Sequence, residues 1–433
     1  MSVKTPKTIT AEQAAGLVKS GDQVIISHGA AEPQKFLIAL VNRHEDLEHV
    51  EILHLRVVGP VLYLDPEMAK AFFHRAMMIG PNVRKPLAEG RADLIPIFYH
   101  MVPHFLRSGH IPVDVAVIQL APPGVNGYCS YGICVSHNPA SVRAAKIVIG
   151  EVNQQMPVVN SPHKIHLSQL DYIIDASYPL YSRVYDEPSA EEVQLAKYVA
   201  SLIPNGATLQ IGLGKMPDAV LTQLKGKNDL GVHTEIFGDG VMELTKMGVI
   251  NNMRKNINRG KILATFAEGS LEFFGWLREA PVEMEVVDYS NDPFVIMQND
   301  NVIAINGALE VDITGQINAE SSGTRQIAGV GGQSDFALGA ARSKGGKFII
   351  AMLSASVKGD KRFSKIVTAM KAGSGISTSR ALADYVVTEF GIAQLKGKTM
   401  AERCRALIEV AHPDFRDQLR EEARQRQDIG SKM

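Results

Sequence analysis

Near the middle of the chain, GVHTEIFGDGV (231–241) wedges one carboxylate, Glu235, among apolar and β-branched neighbours. Val232 and Ile236 flank it, and a loop with two glycines follows. Within eight residues on either side the only Lys or Arg is Lys227. An acid with no nearby cation in sequence is available as a nucleophile or base. Glu268, Glu310 and Glu320 also fall near strand ends or glycine turns. For any one acid alone, pairing with a base or capping a turn is the competing explanation.

Two glycine-rich stretches are candidates for anion contact. IGLGKMPDAV (211–220) places Gly212 and Gly214 after an apolar run and before a helical pattern, where backbone N–H groups can approach a phosphate or oxyanion. It is not the dinucleotide fingerprint, because Pro217 stands where the third glycine belongs, and it lacks the Lys-Ser/Thr end of a P-loop. A tight strand-to-helix turn is the structural alternative. GVGGQSDF (329–336) offers several N–H groups in one loop. The Ser/Asp after it reads as the cap of a following helix.

Histidines 28, 54, 100, 104, 110 and 137 crowd the first half. HMVPHF puts two at i and i+4, but Pro103 between them is expected to break the helix a zinc motif needs. His28 lies in a glycine loop, SHGAAEP. No G-x-S-x-G elbow is present, which disfavours a serine hydrolase.

These residues need elements to hold them, and the chain repeats itself. SGDQVIISHGAAEPQKFLIAL (20–40) resembles NGATLQIGLGKMPDAVLTQL (205–224), each with a proline (Pro33, Pro217) at the first turn of an expected helix. DVAVIQLAPPGVNGYCSYG (114–132) mirrors NVIAINGALEVDITGQINAE (301–320). AKIVIGEVN (145–153) matches GKFIIAMLS (346–354), and LDYIIDASYPL (170–180) matches ADYVVTEFGIAQL (383–395). Four matches in one order imply two similar α/β halves with largely parallel sheets, a pseudo-duplication hinged near 176–192. Ligands bind at the carboxyl ends of such strands, which is where the glycine loops fall. Glu235 breaks the symmetry: the first-half counterpart, EHVEILHLRVVG, has no matching acid and glycine loop.

Composition narrows the class. At 433 residues the chain exceeds one core. Apolar residues are 45%, charged residues 21% and net charge is −1, with no basic run for nucleic acid. No apolar stretch approaches a membrane span and the N-terminus has no apolar signal core, so a cytoplasmic protein is expected. Three cysteines without paired spacing point to neither a disulfide framework nor a zinc site.

GLGKMPDAVL, HTEIFGDGV, DYSNDPFVIMQNDNVIAIN, ALEVDITGQINAES, GVGGQSDF, SVKGDKRFSKIV, DYVVTEFGIAQLKGKT and AHPDF, with PVDVAVIQLAPPGVNGYCSYG from the first half, resemble the acetyl-CoA hydrolase/transferase family. More narrowly they resemble the 4-hydroxybutyrate and butyryl-CoA:acetate CoA-transferases. The resemblance implies an α/β fold of two CoA-transferase-type domains, 1–188 and 189–433, with the active site in a cleft between them. It implies Glu235 as catalytic glutamate, with Asn291 and Gly332 contacting the oxyanion or thioester carbonyl. Coenzyme A or acyl-CoA would be a substrate rather than a tightly bound cofactor, lying along Gly212, Leu213, Gly214 and Met216 and near Gly331 and Lys358. His28 and Gln119 are candidate substrate-pocket residues. The partners implied are an acyl-CoA, a small carboxylate and a second copy of the chain in a homodimer or higher oligomer. No metal is implied. Transferases of 4-hydroxybutyrate carry a Gly-Glu-Gly-like stretch after the second strand; here HLRVVGPVLYL (54–64) has no acid, implying a less polar or differently shaped pocket. The expected activity is CoA transfer. An acyl-CoA hydrolase using the same glutamate, and a non-catalytic CoA-sensing protein, are the alternatives.

Overall fold

The computed structural model describes residues 5–183 and 185–429. It divides into two compact units, Met1–Val184 with Leu263–Ser290, and Tyr185–Ile262 with Asn291–Met433.

The first unit is built on eight strands: β1 (Lys7–Thr8), β2 (Gln23–Ile26), β3 (Val50–His54), β4 (Phe72–Ala76), β5 (Ala92–Leu94), β6 (Val115–Leu120), β7 (Ile147–Asn153) and β8 (Tyr172–Ala176). They form one sheet in the order β1-β8-β7-β6-β2-β3-β4-β5, parallel throughout. The run VAVIQL of β6 is buried at every position, as a strand covered on both faces must be. Helix α1 (Gln34–Val41) follows β2 and buries Phe36, Leu37 and Leu40 in a core with Val24, Ile26, Ile52, Val117 and Ile149. Each fully buried aromatic or large aliphatic there contributes roughly 2–3 kcal/mol of transfer free energy.

The second unit repeats the pattern with β9 (Thr208–Ile211), β10 (Gly231–Val232), β11 (Val302–Asn306), β12 (Lys347–Ala351), β13 (Tyr385–Thr388) and β14 (Gly391–Gln394). Their order is β10-β9-β11-β12-β13-β14, parallel except for the last pair. The repeated segments occupy equivalent places: β8-β7-β6-β2-β3 in one sheet reads as β13-β12-β11-β9-β10 in the other. The second unit's helices are α2 (Lys215–Thr222), α3 (Asp239–Lys246), α4 (Pro293–Ile296), α5 (Gln333–Arg342), α6 (Met400–Val410) and α7 (Pro413–Arg424), named among others in this unit. Phe336, Ala337 and Ala340 of α5 pack on Val302, Ala304, Phe348 and Ile350, with Leu407 and Ile408 of α6 and Leu419 of α7 in the same core.

Three expectations change. The division at 188/189 gives 263–290 to the second half, but that segment packs in the first unit: Ala267 N–H donates to Ile133 O at 2.9 Å, and Val135 N–H to Thr265 O at 3.1 Å. Pro103 does not interrupt a helix but lies in the first turn of one, Val102–Arg107, where its missing N–H costs nothing; His100 falls before it in the turn Tyr99–Met101, so the i, i+4 histidines do not share an α-helix, as expected. Helix α5 is not capped by Ser334 or Asp335; it starts at Gln333 with Gly332 as its cap and no side-chain cap bond. Pro33 stands at the cap of α1 and Pro217 at the third position of α2, both before the intrahelical N–H ladder begins.

Candidate active site

In the second unit β10 pairs with β9 in parallel register, Leu209 opposite Val232. Glu235 lies beyond β10, in the stretch between Gly231–Val232 and the short strand Ile236–Phe237. That stretch is held at several backbone and side-chain atoms. Val232 N–H donates to Asn252 Oδ1 at 2.8 Å, and the buried Lys255 ammonium donates to Val232 O at 2.9 Å. Asn252 adopts φ 60°, a left-handed conformation that asparagine tolerates, which aims the side chain at the strand. The Thr234 hydroxyl, fully buried, reaches Ile211 O at 3.0 Å and Ile236 O at 3.1 Å. The peptide carrying Glu235 therefore has little freedom, while its own side chain is only half-buried.

Asn291 immediately precedes the capping Asp292 of α4, whose carboxylate accepts Phe294 N–H at 2.7 Å. The Asn291 amide nitrogen donates to Glu235 Oε2 at 2.9 Å. Gly332 completes the group. A methyl placed on its Cα would fall 2.2 Å from Glu235 Oε2 and 2.4 Å from Asn291 Nδ2. No side chain larger than hydrogen fits there without displacing the other two. A second glycine makes the approach possible: at Gly339 a Cβ would lie 2.5 Å from Ile296 Cγ2, so α5 can press against α4. The structure thus brings Glu235, Asn291 and Gly332 together from three separate segments.

The other candidates are more dispersed. Gly212, Leu213 and Gly214 form the turn from β9 into α2, at the carboxyl end of the strand beside β10, and Met216 lies in the first turn of α2. Gly214 at φ 131° needs glycine. Gly331 directly precedes the cap of α5, at φ 61°. Lys358 is exposed on a separate antiparallel hairpin, Ala355–Lys358 with Lys361–Ser364, opposite Lys361 across the turn. Among the remaining acids, Glu268 holds Arg56 through two bonds at 2.8 and 3.0 Å, and Glu310 accepts from Asn318 at 3.0 Å. Those two have the structural partners that the sequence left open.

His28 and Gln119 belong to the first unit, at or just beyond the carboxyl ends of β2 and β6. His28 is fully buried; its Nε2 sits 2.8 Å from Ser136 Oγ and 3.0 Å from Tyr99 OH. Burial, reinforced by His137 and His54 nearby, holds it well below the usual imidazole range, so it is a neutral ring. Gln119 is also fully buried. Its Nε2 donates to Glu32 O at 2.6 Å and to Tyr178 OH at 2.9 Å, while Oε1 accepts from Asn153 at 3.1 Å. Its amide is engaged inside the unit at both ends.

Sequence reasoning missed Glu32, whose only signal was an acid set between Ala31 and Pro33 in an otherwise apolar loop. It is 2% exposed. Its carboxylate accepts Val58 N–H at 2.6 Å and Gly59 N–H at 3.2 Å, and His54 Nε2 lies 3.5 Å away. The loop without an acid of its own is thus held by one from another segment. Burial pushes Glu32 up to about 7, with Glu268 adding to the rise and the loop N–H groups opposing it. An acid raised on folding stabilises below its unfolded value near 4.5 and loses that contribution as pH climbs through about 7. The loss is on the order of 3 kcal/mol. Glu32→Gln removes this titration and keeps an acceptor for the loop. Its melting temperature, measured against the unaltered protein from pH 5 to pH 8, should gain steadily on it; parallel curves would refute the assignment.

The description "Acetyl-CoA hydrolase/transferase N-terminal domain" matches residues 4–179 and "Acetyl-CoA hydrolase/transferase C-terminal domain" matches residues 269–423. The 4-hydroxybutyrate coenzyme A transferase of Clostridium kluyveri is 44% identical over 97% of this chain and 98% of its own length. The succinyl-CoA:acetate/propanoyl-CoA:succinate CoA transferase of Fasciola hepatica is 38% identical over 95% of this chain and 86% of its own. Both alignments run through the interval between the two family matches, where Glu235 lies. A crystal structure of 4-hydroxybutyrate CoA-transferase from Porphyromonas gingivalis is 36% identical and superposes with a TM-score of 0.82 over 97% of each chain.

Proposed function

The chain belongs to the acetyl-CoA hydrolase/transferase family, and on that premise we propose that it moves coenzyme A from a short acyl-CoA to a small carboxylic acid through a covalent intermediate on Glu235. The observation that carries the reading is the meeting of Glu235, Asn291 and Gly332, a carboxylate, an amide donor and a glycine that clears space for both.

The chemistry balances without water or a net proton. A Glu235 oxygen attacks the acyl carbonyl carbon; the C–S bond breaks, leaving a mixed anhydride and CoA thiolate. The thiolate attacks the glutamyl carbonyl; the anhydride C–O bond breaks, the donor acid departs as carboxylate and a glutamyl-CoA thioester remains. The acceptor carboxylate attacks that thioester carbonyl, and the C–S bond breaks to give a second mixed anhydride and CoA thiolate. The thiolate then attacks the acceptor-derived carbonyl, the anhydride C–O bond breaks, and the new acyl-CoA and the Glu235 carboxylate are released. Each attack places negative charge on a carbonyl oxygen. Asn291 Nδ2 and a backbone N–H at Gly332, where α5 begins, are the proposed donors, each worth about 3–4 kcal/mol in such a role. Gly212, Leu213, Gly214 and Met216, with Gly331 and Lys358, are proposed to hold the CoA. Its remote binding energy is then available to drive attack at the thioester. His28, as a neutral ring, and Gln119 are proposed for the acyl or acceptor pocket.

The test is a panel of acyl-CoA donors (acetyl, butyryl, succinyl) against acetate, butyrate, succinate, itaconate and 4-hydroxybutyrate. The acceptor's CoA ester should form, with CoA release slow when no acceptor is present. Intact mass should show the protein gaining CoA less one water, located on the peptide containing Glu235. Rapid CoA release that ignores the acceptor would mark a hydrolase instead; no release and no adduct would leave only CoA sensing.

A further inference from the structure

Two residues before Glu235 stands His233, which is fully buried. Its Nδ1 lies 3.1 Å from the side-chain nitrogen of Asn299, also fully buried. The other side-chain atom of Asn299 is already committed: Oδ1 accepts the backbone N–H groups of Asn256 at 2.9 Å and Ile257 at 3.2 Å. Those two donors fix which way the amide points, since an NH₂ group turned toward them would meet only donors. The amide nitrogen therefore donates to His233, Nδ1 accepts, and the imidazole proton sits on Nε2.

This contact touches the supports of all three site residues. The Asn299 N–H closes the end of α4 on Ile296 O at 3.2 Å, and α4 begins two residues after Asn291. The Asn299 backbone carbonyl accepts from the Ser343 hydroxyl at 2.7 Å; Ser343 caps the end of α5, and Gly332 caps its start. The His233 ring meets Phe336 of α5 edge-on, with centroids 6.1 Å apart and planes at 86°. The loop bearing Asn256 also supplies Asn252 and Lys255, which grip Val232. One buried hydrogen bond thus registers the segment of Glu235 against the helices that present Asn291 and Gly332.

We infer that the His233–Asn299 hydrogen bond is the positioning element that sets the Glu235–Asn291–Gly332 geometry, and that its fixed donor direction is needed for CoA transfer. The inference rests on the reading of Glu235 as nucleophile. Both are positioning residues, acting through the site residues they support.

The decisive variant is Asn299→Asp. Aspartate keeps the shape and both acceptor contacts to Asn256 and Ile257, so the loop retains its anchor. It presents to His233 an oxygen that only accepts, so the ring must carry a proton on Nδ1, by exchanging tautomers or by becoming a cation. The expected result is a fall of about 10²-fold in kcat, with KM for acyl-CoA within about threefold. The pH–rate profile should also gain an ionisation that the unaltered protein lacks. Asn299→Ala should lose kcat comparably without that ionisation. Single-turnover formation of the Glu235–CoA adduct reads the slowed step directly. A folded Asn299→Asp protein with unchanged kcat and pH profile overturns the inference, as does a lowered melting temperature with unchanged kcat per folded molecule. Failure of the nucleophile reading looks different: the unaltered protein would then form no adduct on Glu235.

Discussion

Glu235→Ala should abolish CoA transfer, and Glu235→Gln should do the same while leaving the fold undisturbed. Losing the nucleophile of a covalent enzyme costs about 10⁴- to 10⁶-fold in kcat, far more than any neighbour contributes. Glutamine is the sharper test. It has the length and shape of glutamate and can still accept from the Asn291 amide, which now donates at 2.9 Å. It cannot form the anhydride, because an amide oxygen is a poor nucleophile at an acyl carbon. Glu235→Asp separates position from charge. It keeps the carboxylate but withdraws it by one methylene, and a misplacement of about 1 Å costs about 10²-fold. The expected order is therefore unaltered, then aspartate about 10²–10³-fold lower, then glutamine and alanine near background. Only the first two should yield a CoA adduct by mass. Full activity in Glu235→Gln would remove Glu235 from the mechanism, however well the trio is arranged.

The sheets were legible because both-face burial leaves a plain mark: runs such as VAVIQL and KFIIA have no polar face. The four paired segments fell on equivalent strands because similar strand–loop–helix units bury similar faces. The segment 263–290 could not be placed in this way. Its apolar stretches, ILATF and VEMEVV, carry no sign of which core they enter, and the partners that decide it lie more than 100 residues earlier. Glu235 stood out as an acid in apolar company. Asn291 did not, and only the family resemblance pointed to it, since an asparagine in a loop is ordinary. The glycine-rich run at 329–332 was visible as an anion-contact loop, but the part given to Gly332 within it came from the resemblance. The partners of the pocket candidate Gln119 were equally invisible: Glu32 O, Tyr178 OH and Asn153 meet its amide from three other segments. Glu32 was hidden because a carboxylate's partners can be backbone N–H groups, which every residue but proline has and no sequence pattern marks.

Gly332→Ala should give a stable protein that has nearly lost its activity. Glycine is required here by space, not by backbone conformation: φ is −96° and ψ is 2°, a region open to alanine. Gly331, at φ 61°, is the opposite case, and alanine there should cost about 1–2 kcal/mol of stability through backbone strain. At position 332 the new methyl meets Glu235 Oε2 at 2.2 Å and Asn291 Nδ2 at 2.4 Å, both far inside van der Waals contact. The glutamate side chain is flexible and half-buried, so it can swing away at little cost in folding, on the order of 1 kcal/mol or less. That escape is what removes activity. The carboxylate leaves the Asn291 amide, and the methyl occupies the space that a tetrahedral centre beside the N–H groups of α5 would fill. Displacement and loss of one donor each carry about 10²-fold, so kcat should fall about 10²–10⁴-fold. Melting temperature and adduct formation measured on the same preparation separate the effects: an unshifted melting curve with a slow or absent adduct is the expected pair. Activity near that of the unaltered protein would mean that the Glu235–Asn291 contact is not the geometry from which transfer begins.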